Sequence, residues 1–129
     1  MGGAVNSKPP KEIILVDDDK YSLETLSKLL TEDGYKVVGC LNGKEALEKM
    51  KNKKYDIIIT DLRMPEMGGI ELLKNIKKIN PEISVIIITA FGEVDTYLEA
   101  IDSGAFDYIH KPINYEGLLK LLETISNRK

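Results

Sequence analysis

The chain has 129 residues, of which 43% are hydrophobic and 30% charged, and its net charge is −3. This length and composition are typical of one compact domain with a hydrophobic core of its own. The negative net charge disfavours direct binding to nucleic acid, and the apolar runs are too short to cross a membrane. The single cysteine, Cys40, excludes an intrachain disulfide. We expect it to be a small buried residue of a cytoplasmic protein. Residues 1–11 are mostly small and polar, and we expect a disordered leader there, of the kind that a cloning vector adds.

Beyond residue 11, short apolar runs alternate with amphipathic stretches. In chain order, strands are predicted at 13–16, more weakly at 36–40, at 57–59, at 85–88, and more weakly at 106–110. A helical stripe follows each strand: Leu23, Leu26 and Leu30; Ala46, Leu47 and Met50; Ile70, Leu73, Ile76 and Ile79; Val94, Leu98 and Ile101; and Leu118, Leu121, Leu122 and Ile125. We expect all five stripes to face the core. We predict that Gly34 ends the first helix and that Asn114 caps the start of the last helix.

Five strand-then-helix units predict an α/β domain over residues 12–127, in which a five-stranded parallel sheet carries helices on both faces. Ligands of such doubly wound sheets bind beyond the carboxyl ends of the strands, near the point where the strand order reverses. The residues that follow each strand are therefore the candidates for a functional site.

The predicted strand ends collect several carboxylates, one hydroxyl and one ammonium group. The residues are Asp17, Asp18 and Asp19 after the first strand, Asp61 after the third, Thr89 after the fourth, and Lys111 after the fifth. Solvated loop residues, one of them capping the next helix, are the simplest explanation for the aspartates. Clustered carboxylates without a His or Cys partner instead favour a hard cation such as Mg²⁺, and a nearby lysine and hydroxyl suit a phosphoryl group. The set fits phosphoryl transfer to a carboxylate.

Four segments, "LVDDDK", "IITDLRMPEMGG", "IITAFG" and "DYIHKPI", occur in order and at matching spacing. With them, the chain from Ile13 to about Ile125 resembles the receiver domain of two-component response regulators. The resemblance implies a flavodoxin-like (βα)5 fold and a signalling switch rather than an enzyme, although a switch that assists its own phosphorylation and dephosphorylation. No output domain is expected within this chain, which reads as a stand-alone receiver or as a fragment of a longer regulator.

The resemblance also implies roles for individual residues. Asp61 would accept a phosphoryl group from a phosphohistidine of a sensor histidine kinase or a histidine phosphotransfer protein, assisted by Thr89 and Lys111. Mg²⁺, with Mn²⁺ as an alternative, would be held by the carboxylates of Asp18 and Asp61, by Asp17 mainly through water, and by the backbone carbonyl of Arg63. Asp19 would either cap the first helix or tune the metal site.

A second group of implied roles concerns the response to phosphorylation. Thr89 would move towards the phosphoryl group and Tyr108 would turn inward, altering a surface around the fourth helix, fifth strand and fifth helix. The Lys111–Pro112 peptide bond matches a cis site of the family. Arg63 and Phe91 lie where side chains influence dephosphorylation and would restrict attacking water.

Partner selection is expected at residues 21–26 and in the loop after Lys111, whereas the downstream target is unknown. We expect a monomer or a weak, phosphorylation-dependent dimer, with neither nucleic acid nor membrane as a direct partner. Two alternatives remain. An aspartate-nucleophile phosphohydrolase would need an acidic residue where Arg63 stands. A pseudo-receiver that only binds partners usually lacks one of the site residues, all of which this sequence has. A flavin-binding domain is disfavoured because three aspartates after the first strand would repel the flavin phosphate.

Overall fold

Strands and helices alternate along residues 11–90 and 94–127, the part of the chain that the computed structural model describes. The strands are β1 (Glu12–Val16), β2 (Lys36–Cys40), β3 (Ile57–Asp61), β4 (Ser84–Thr89) and β5 (Asp107–His110). The helices are α1 (Lys20–Glu32), α2 (Gly43–Asn52), α3 (Gly69–Ile79), α4 (Val94–Asp102) and α5 (Tyr115–Ser126). None of these helices in the described ranges is long and apolar enough to cross a membrane. The predicted leader lies, apart from Lys11, outside the described residues.

The strands form one parallel sheet in the order β2-β1-β3-β4-β5. From β1 the chain first moves outward to β2, then returns across β1 to add β3, β4 and β5 on the other side. The reversal places a crevice at the carboxyl ends of β1 and β3, which is where doubly wound sheets bind ligands. The predicted α/β architecture is confirmed.

Two hydrophobic cores, one on each face of the sheet, follow from the alternation of side chains along the strands. Of β1, Ile13 and Leu15 face one core, whereas Ile14 and Val16 face the other. The first core is completed by Leu23 and Leu30 of α1 and by Leu118, Leu122 and Ile125 of α5. The second is completed by Ala46 of α2, by Leu72, Leu73 and Ile76 of α3, and by Ala100 of α4. Helices therefore cover both faces, as predicted.

The predicted core stripe of α4 is wrong. Val94, Leu98 and Ile101 are 73%, 53% and 38% exposed, respectively, and the buried residue of this helix is Ala100. The helix thus packs on its neighbours through the face that carries Ala100, and its apolar stripe faces outward. Ile79, at the end of the α3 stripe, is also exposed, at 55%. Helical periodicity identified an apolar face in each case but not whether the sheet covers it.

Local signals at the helix ends agree with the structure. The side chain of Asn114 caps α5 by accepting a hydrogen bond from the backbone N–H of Gly117 at 2.9 Å. Gly34 follows α1 with a φ of 98°, a left-handed conformation that glycine adopts without a steric penalty. Cys40 is fully buried, and burial raises the pKa of its thiol to about 11, so it is a core residue as predicted.

Two adjacent leucines of α1 test how far burial determines stability. Leu30 is fully buried whereas Leu29 is 37% exposed. We expect Leu30→Ala to lower the free energy of unfolding by about 2–5 kcal/mol, because it removes apolar contacts and leaves a cavity. Leu29→Ala, the matched control, should cost about 1 kcal/mol or less. Urea unfolding followed by circular dichroism measures both, and equal losses would contradict the assignment of the α1 faces.

Candidate functional site

Three aspartates meet in the crevice where the strand order reverses. Asp17 and Asp18 follow β1, and Asp61 ends β3. Each presents a carboxylate oxygen, and these oxygens lie within 4.8 Å of one another. Asp17 is buried, Asp61 half-buried and Asp18 exposed. The cluster is therefore open to solvent on the side of Asp18 and enclosed on the side of Asp17.

Lys111 reaches into this cluster from the end of β5. Its Nζ lies 3.1 Å from Oδ1 of Asp61 and 3.9 Å from Oδ2 of Asp17. Its backbone N–H donates to the carbonyl of Thr89 at 2.8 Å, which ties the loop to the end of β4. The Lys111–Pro112 peptide bond is cis. One ammonium group thus contacts two of the three carboxylates.

Crowding alters the ionisation of Asp61. Burial, together with the hydrogen bond and negative charge of Asp17, raises the pKa of Asp61 to about 7, although Lys111 acts in the opposite direction. Burial alone would lower the pKa of Lys111, but Asp61 and Asp17 outweigh it, so the pKa of Lys111 lies above its ordinary value. One ammonium group is not enough to compensate these carboxylates.

Asp19 does not belong to the carboxylate cluster. Its side chain caps α1, accepting from the backbone N–H of Tyr21 at 3.1 Å and from the hydroxyl of Ser22 at 3.0 Å. Of its two predicted roles, helix capping is the one that the geometry supports. Its own backbone N–H donates to Oδ1 of Asp17 at 2.9 Å and so orients that carboxylate.

The donor set fits a small divalent cation. Asp17, Asp18 and Asp61 supply oxygen ligands alone, and among the described residues neither His nor Cys joins this cluster. Hard cations such as Mg²⁺ prefer carboxylate oxygens and retain water ligands, for which the exposed side at Asp18 leaves room. Arg63, the predicted carbonyl ligand, lies two residues beyond Asp61 in the loop before α3, with its side chain exposed.

The two predicted switch residues lie on neighbouring strands. Thr89 ends β4 and is 2% exposed. Tyr108 of β5 is 7% exposed, and its hydroxyl shares a 2.7 Å hydrogen bond with the hydroxyl of Thr96 on α4. Its ring also packs edge-to-face against Tyr97, with centroids 5.5 Å apart. Tyr108 is therefore turned inward in this structure.

Sequence reasoning missed Thr96. It lies four residues before Ala100, on the side of α4 that faces β5, but the burial of Ala100 is known only from the structure, so the sequence carried no signal for Thr96. The apolar stripe of α4 predicts that the opposite face is buried, which would leave Thr96 exposed to solvent. Phe91, the second residue predicted to influence dephosphorylation, lies outside the described residues.

A family model for the response regulator receiver domain matches residues 13–123. The chain belongs to the response regulator receiver domain family. The transcriptional regulatory protein ZraR of Klebsiella oxytoca is 45% identical to this receiver domain over 119 residues, which is 92% of this chain and 27% of that protein. The receiver domain thus spans about a quarter of the length of this relative and of the ZraR proteins of Escherichia coli and Salmonella typhimurium.

Two other known proteins are matched over nearly their whole length. The chemotaxis protein CheY of Thermotoga maritima is 39% identical over 117 residues, covering 90% of this chain and 98% of that protein. The crystal structure of a response regulator receiver domain protein from Clostridium thermocellum superposes with a TM-score of 0.87 at 33% identity, covering 92% of this chain and 95% of the other. These comparisons identify the protein as a signalling domain of two-component systems.

The raised pKa of Asp61 predicts how substitution affects stability without metal. Below about pH 4 Asp61 is protonated in both the folded and the unfolded chain. Between pH 4 and its folded pKa of about 7, only the folded chain keeps the proton, so this group's stabilisation is lost as pH rises. Asp61→Asn stays neutral, and one pKa unit corresponds to about 1.4 kcal/mol. In EDTA we therefore expect Asp61→Asn to be the more stable by 1 kcal/mol or more at pH 8 and equal near pH 4.

Urea unfolding at a series of pH values measures this difference. Asp102→Asn, which removes one carboxylate from the exposed end of α4, is the matched control and should show no comparable gain. A difference between Asp61→Asn and the unsubstituted chain that does not grow with pH would contradict the crowding of Asp61.

Proposed function

We propose that this receiver domain is a phosphorylation-activated switch whose phosphoacceptor is Asp61. The single observation that carries the proposal is the position of Lys111 Nζ, 3.1 Å from Asp61 Oδ1, beside three carboxylates whose oxygens lie within 4.8 Å. If Lys111 only stabilised the fold, one carboxylate would be enough as its ion-pair partner. The excess of carboxylates is better explained by a site that awaits a cation and a phosphoryl group.

The donor is a phosphohistidine of a sensor histidine kinase or a histidine phosphotransfer protein. An oxygen of ionised Asp61 forms a bond to phosphorus while the phosphorus–nitrogen bond of the donor breaks, and the imidazole leaves with the electron pair of that bond. Lys111 contacts the incoming oxygens as a point charge, and the hydroxyl of Thr89 donates a hydrogen bond to one of them. Most of the assistance is positioning and charge neutralisation.

Mg²⁺ would be held by the carboxylates of Asp18 and Asp61, by Asp17 mainly through water, and by the backbone carbonyl of Arg63. Mg²⁺ bound there, with Mn²⁺ as an alternative, supplies the positive charge that offsets the carboxylates and the phosphoryl oxygens. Asp17 is held in orientation by the backbone N–H of Asp19, at 2.9 Å. Phosphorylation replaces the charge of Asp61 by about −2, which increases the attraction on Lys111 and Thr89.

The change in charge reaches the output surface through Thr89 and Tyr108. Thr89 lies at the end of β4, beside the strand that carries Tyr108. Movement of Thr89 towards the phosphoryl group favours the inward position of Tyr108, which the hydrogen bond to Thr96 also stabilises. A switch of this kind shifts a pre-existing equilibrium, so a fraction of the unphosphorylated protein already has Tyr108 turned inward.

The phosphodonor docks beside a groove of about 390 Å³ that opens at the site. Tyr21 and Leu26 of α1 line one wall, Pro112 lines the other, and both Asp61 and Lys111 reach it. A donor protein bound along α1 can thus present its phosphohistidine to Asp61. The protein is either a monomer or a weak dimer that forms on phosphorylation, and its unknown downstream target recognises the changed surface of α4, β5 and α5.

Intact-protein mass spectrometry after incubation with acetyl phosphate tests the phosphoacceptor. We expect the gain of one phosphoryl group in the presence of Mg²⁺, and none in EDTA or in Asp61→Asn, because both the cation and the carboxylate oxygen are needed. Asp56→Asn, which removes a carboxylate just before the opposite end of β3, is the matched control and should be phosphorylated normally.

A phosphoryl gain that persists in Asp61→Asn would refute the assignment of Asp61. Rapid release of product from an aryl phosphate would favour the phosphohydrolase alternative. A folded protein that binds neither Mg²⁺ nor a phosphoryl group would favour the pseudo-receiver.

The side chain of Arg63 should lengthen the lifetime of the phosphoryl group. It is exposed two residues beyond Asp61, where its bulk can restrict the approach of water. We expect Arg63→Ala to lose the phosphoryl group severalfold faster, whereas Arg63→Met, which keeps the length but not the charge, should stay close to wild type. Phosphoryl loss is followed by mass after removal of acetyl phosphate, and unchanged lifetimes in Arg63→Ala would disprove this role.

A further inference from the structure

Thr60, the residue before the proposed phosphoacceptor, is a polar side chain in an apolar core. It is fully buried, and its lateral neighbours in the sheet are Val16 of β1 and Ile87 of β4. Valine would fill nearly the same volume without a hydroxyl, and a buried hydroxyl is unfavourable unless it is hydrogen-bonded. Thr60 uses its hydroxyl to donate to the backbone carbonyl of Asp61 at 3.0 Å.

That carbonyl lies where β3 leaves the support of β1. The β1–β3 ladder ends with Val16 opposite Thr60, so Asp61 is the first residue of β3 beyond it. On the other side of β3, the backbone N–H of Leu62 still donates to the carbonyl of Ile88 at 3.0 Å. The peptide between Asp61 and Leu62 is thus held from β4, and the Thr60 hydroxyl supplies a second restraint.

Gly69 packs against the same peptide from a third direction. It is the first residue of α3, and its backbone N–H donates to the carbonyl of Leu62 at 2.8 Å. A Cβ at position 69 would overlap the carbonyl oxygen of Asp61 and lie 3.0 Å from Cα of Leu62. The start of α3 therefore packs directly on the peptide that the Thr60 hydroxyl holds.

We infer that Thr60 is a positioning residue, whose hydroxyl fixes the peptide plane after Asp61 and thereby orients both the phosphoacceptor carboxylate and the carbonyl of Arg63. The orientation of that peptide sets the backbone from which the Asp61 side chain projects and the direction in which the chain continues to Arg63. The inference rests on the proposed function, because the Asp61 carboxylate and the Arg63 carbonyl are the proposed ligands of Mg²⁺.

Two substitutions separate the hydroxyl of Thr60 from its shape. Thr60→Val keeps the volume and loses the hydroxyl, whereas Thr60→Ser keeps the hydroxyl and loses a methyl group. Calorimetry with Mg²⁺ alone measures the metal affinity of the folded proteins. We expect Thr60→Val to bind Mg²⁺ roughly tenfold more weakly, the lower end of the cost of losing a group that orients a ligand. Thr60→Ser should bind almost as tightly as wild type.

Amide NMR shifts and phosphorylation kinetics complete the test. In metal-free Thr60→Val, the amide chemical shifts of Leu62 and Arg63 should differ from those of metal-free wild type. With acetyl phosphate as the donor, the maximal rate of phosphorylation should fall by a larger factor than the acetyl phosphate concentration for half-maximal rate changes. The reverse order, with Thr60→Ser impaired and Thr60→Val normal, would show a packing role and overturn the inference. If Thr60→Val does not fold, Thr60→Ala compared with Thr60→Ser carries the same comparison, because those two differ in the hydroxyl.

The inference and the proposed function fail in different ways. Absence of Mg²⁺-dependent phosphorylation in the wild-type protein overturns the proposed function. Normal phosphorylation and equal Mg²⁺ affinity in wild type and Thr60→Val overturn the role of Thr60 alone.

Discussion

The fold of this domain holds three mutually repelling carboxylates close together at one edge of its sheet. Three carboxylates converge there on a single ammonium group, and Lys111 contacts Asp61 at 3.1 Å and Asp17 at 3.9 Å. Burial of Asp61, and after it the hydrogen bond and negative charge of Asp17, raise the pKa of the Asp61 carboxyl, because both oppose its ionised form. In the proposed function a divalent cation offsets this repulsion, and phosphorylation adds negative charge that strengthens the attraction on Lys111 and on the cation. An arrangement that is unfavourable for the isolated chain would thus make it responsive to the proposed ligands.

The central strands make this arrangement tolerable. Within β1 and β3, the segments Ile13–Val16 and Ile57–Thr60 are buried throughout, so apolar side chains anchor both strands on two faces up to the point where the carboxylates begin. Local hydrogen bonds then take over: the Asp19 cap starts α1 and orients Asp17, while Thr60 and the start of α3 hold the peptide after Asp61. Apolar burial supplies the stability and short polar contacts supply the direction of each side chain.

Much of this could be predicted from the sequence, because the relevant signals are local or topological. Apolar β-branched runs define the strands, and parallel pairing brings their carboxyl ends together regardless of loop detail. Three features could not be predicted, since they depend on which surfaces meet. The apolar stripe of α4, exemplified by Leu98, faces outward; the partner of Tyr108 is Thr96 on that helix; and the hydroxyl of Thr60 lies within a strand that reads as apolar.

The weak attachment of α4 gives the proposed switch its direction. Its buried residue, Ala100, contributes little apolar area, whereas Val94 and Leu98 are more than half exposed. An element with few buried contacts can shift at low free-energy cost, and the elements that move in allostery are drawn from this class. The Thr96–Tyr108 hydrogen bond links this helix to β5, close to Lys111. In the proposed switch we therefore expect a displacement at Thr89 or Lys111 to move α4 more than α1 or α5, because α1 and α5 insert large side chains into the core.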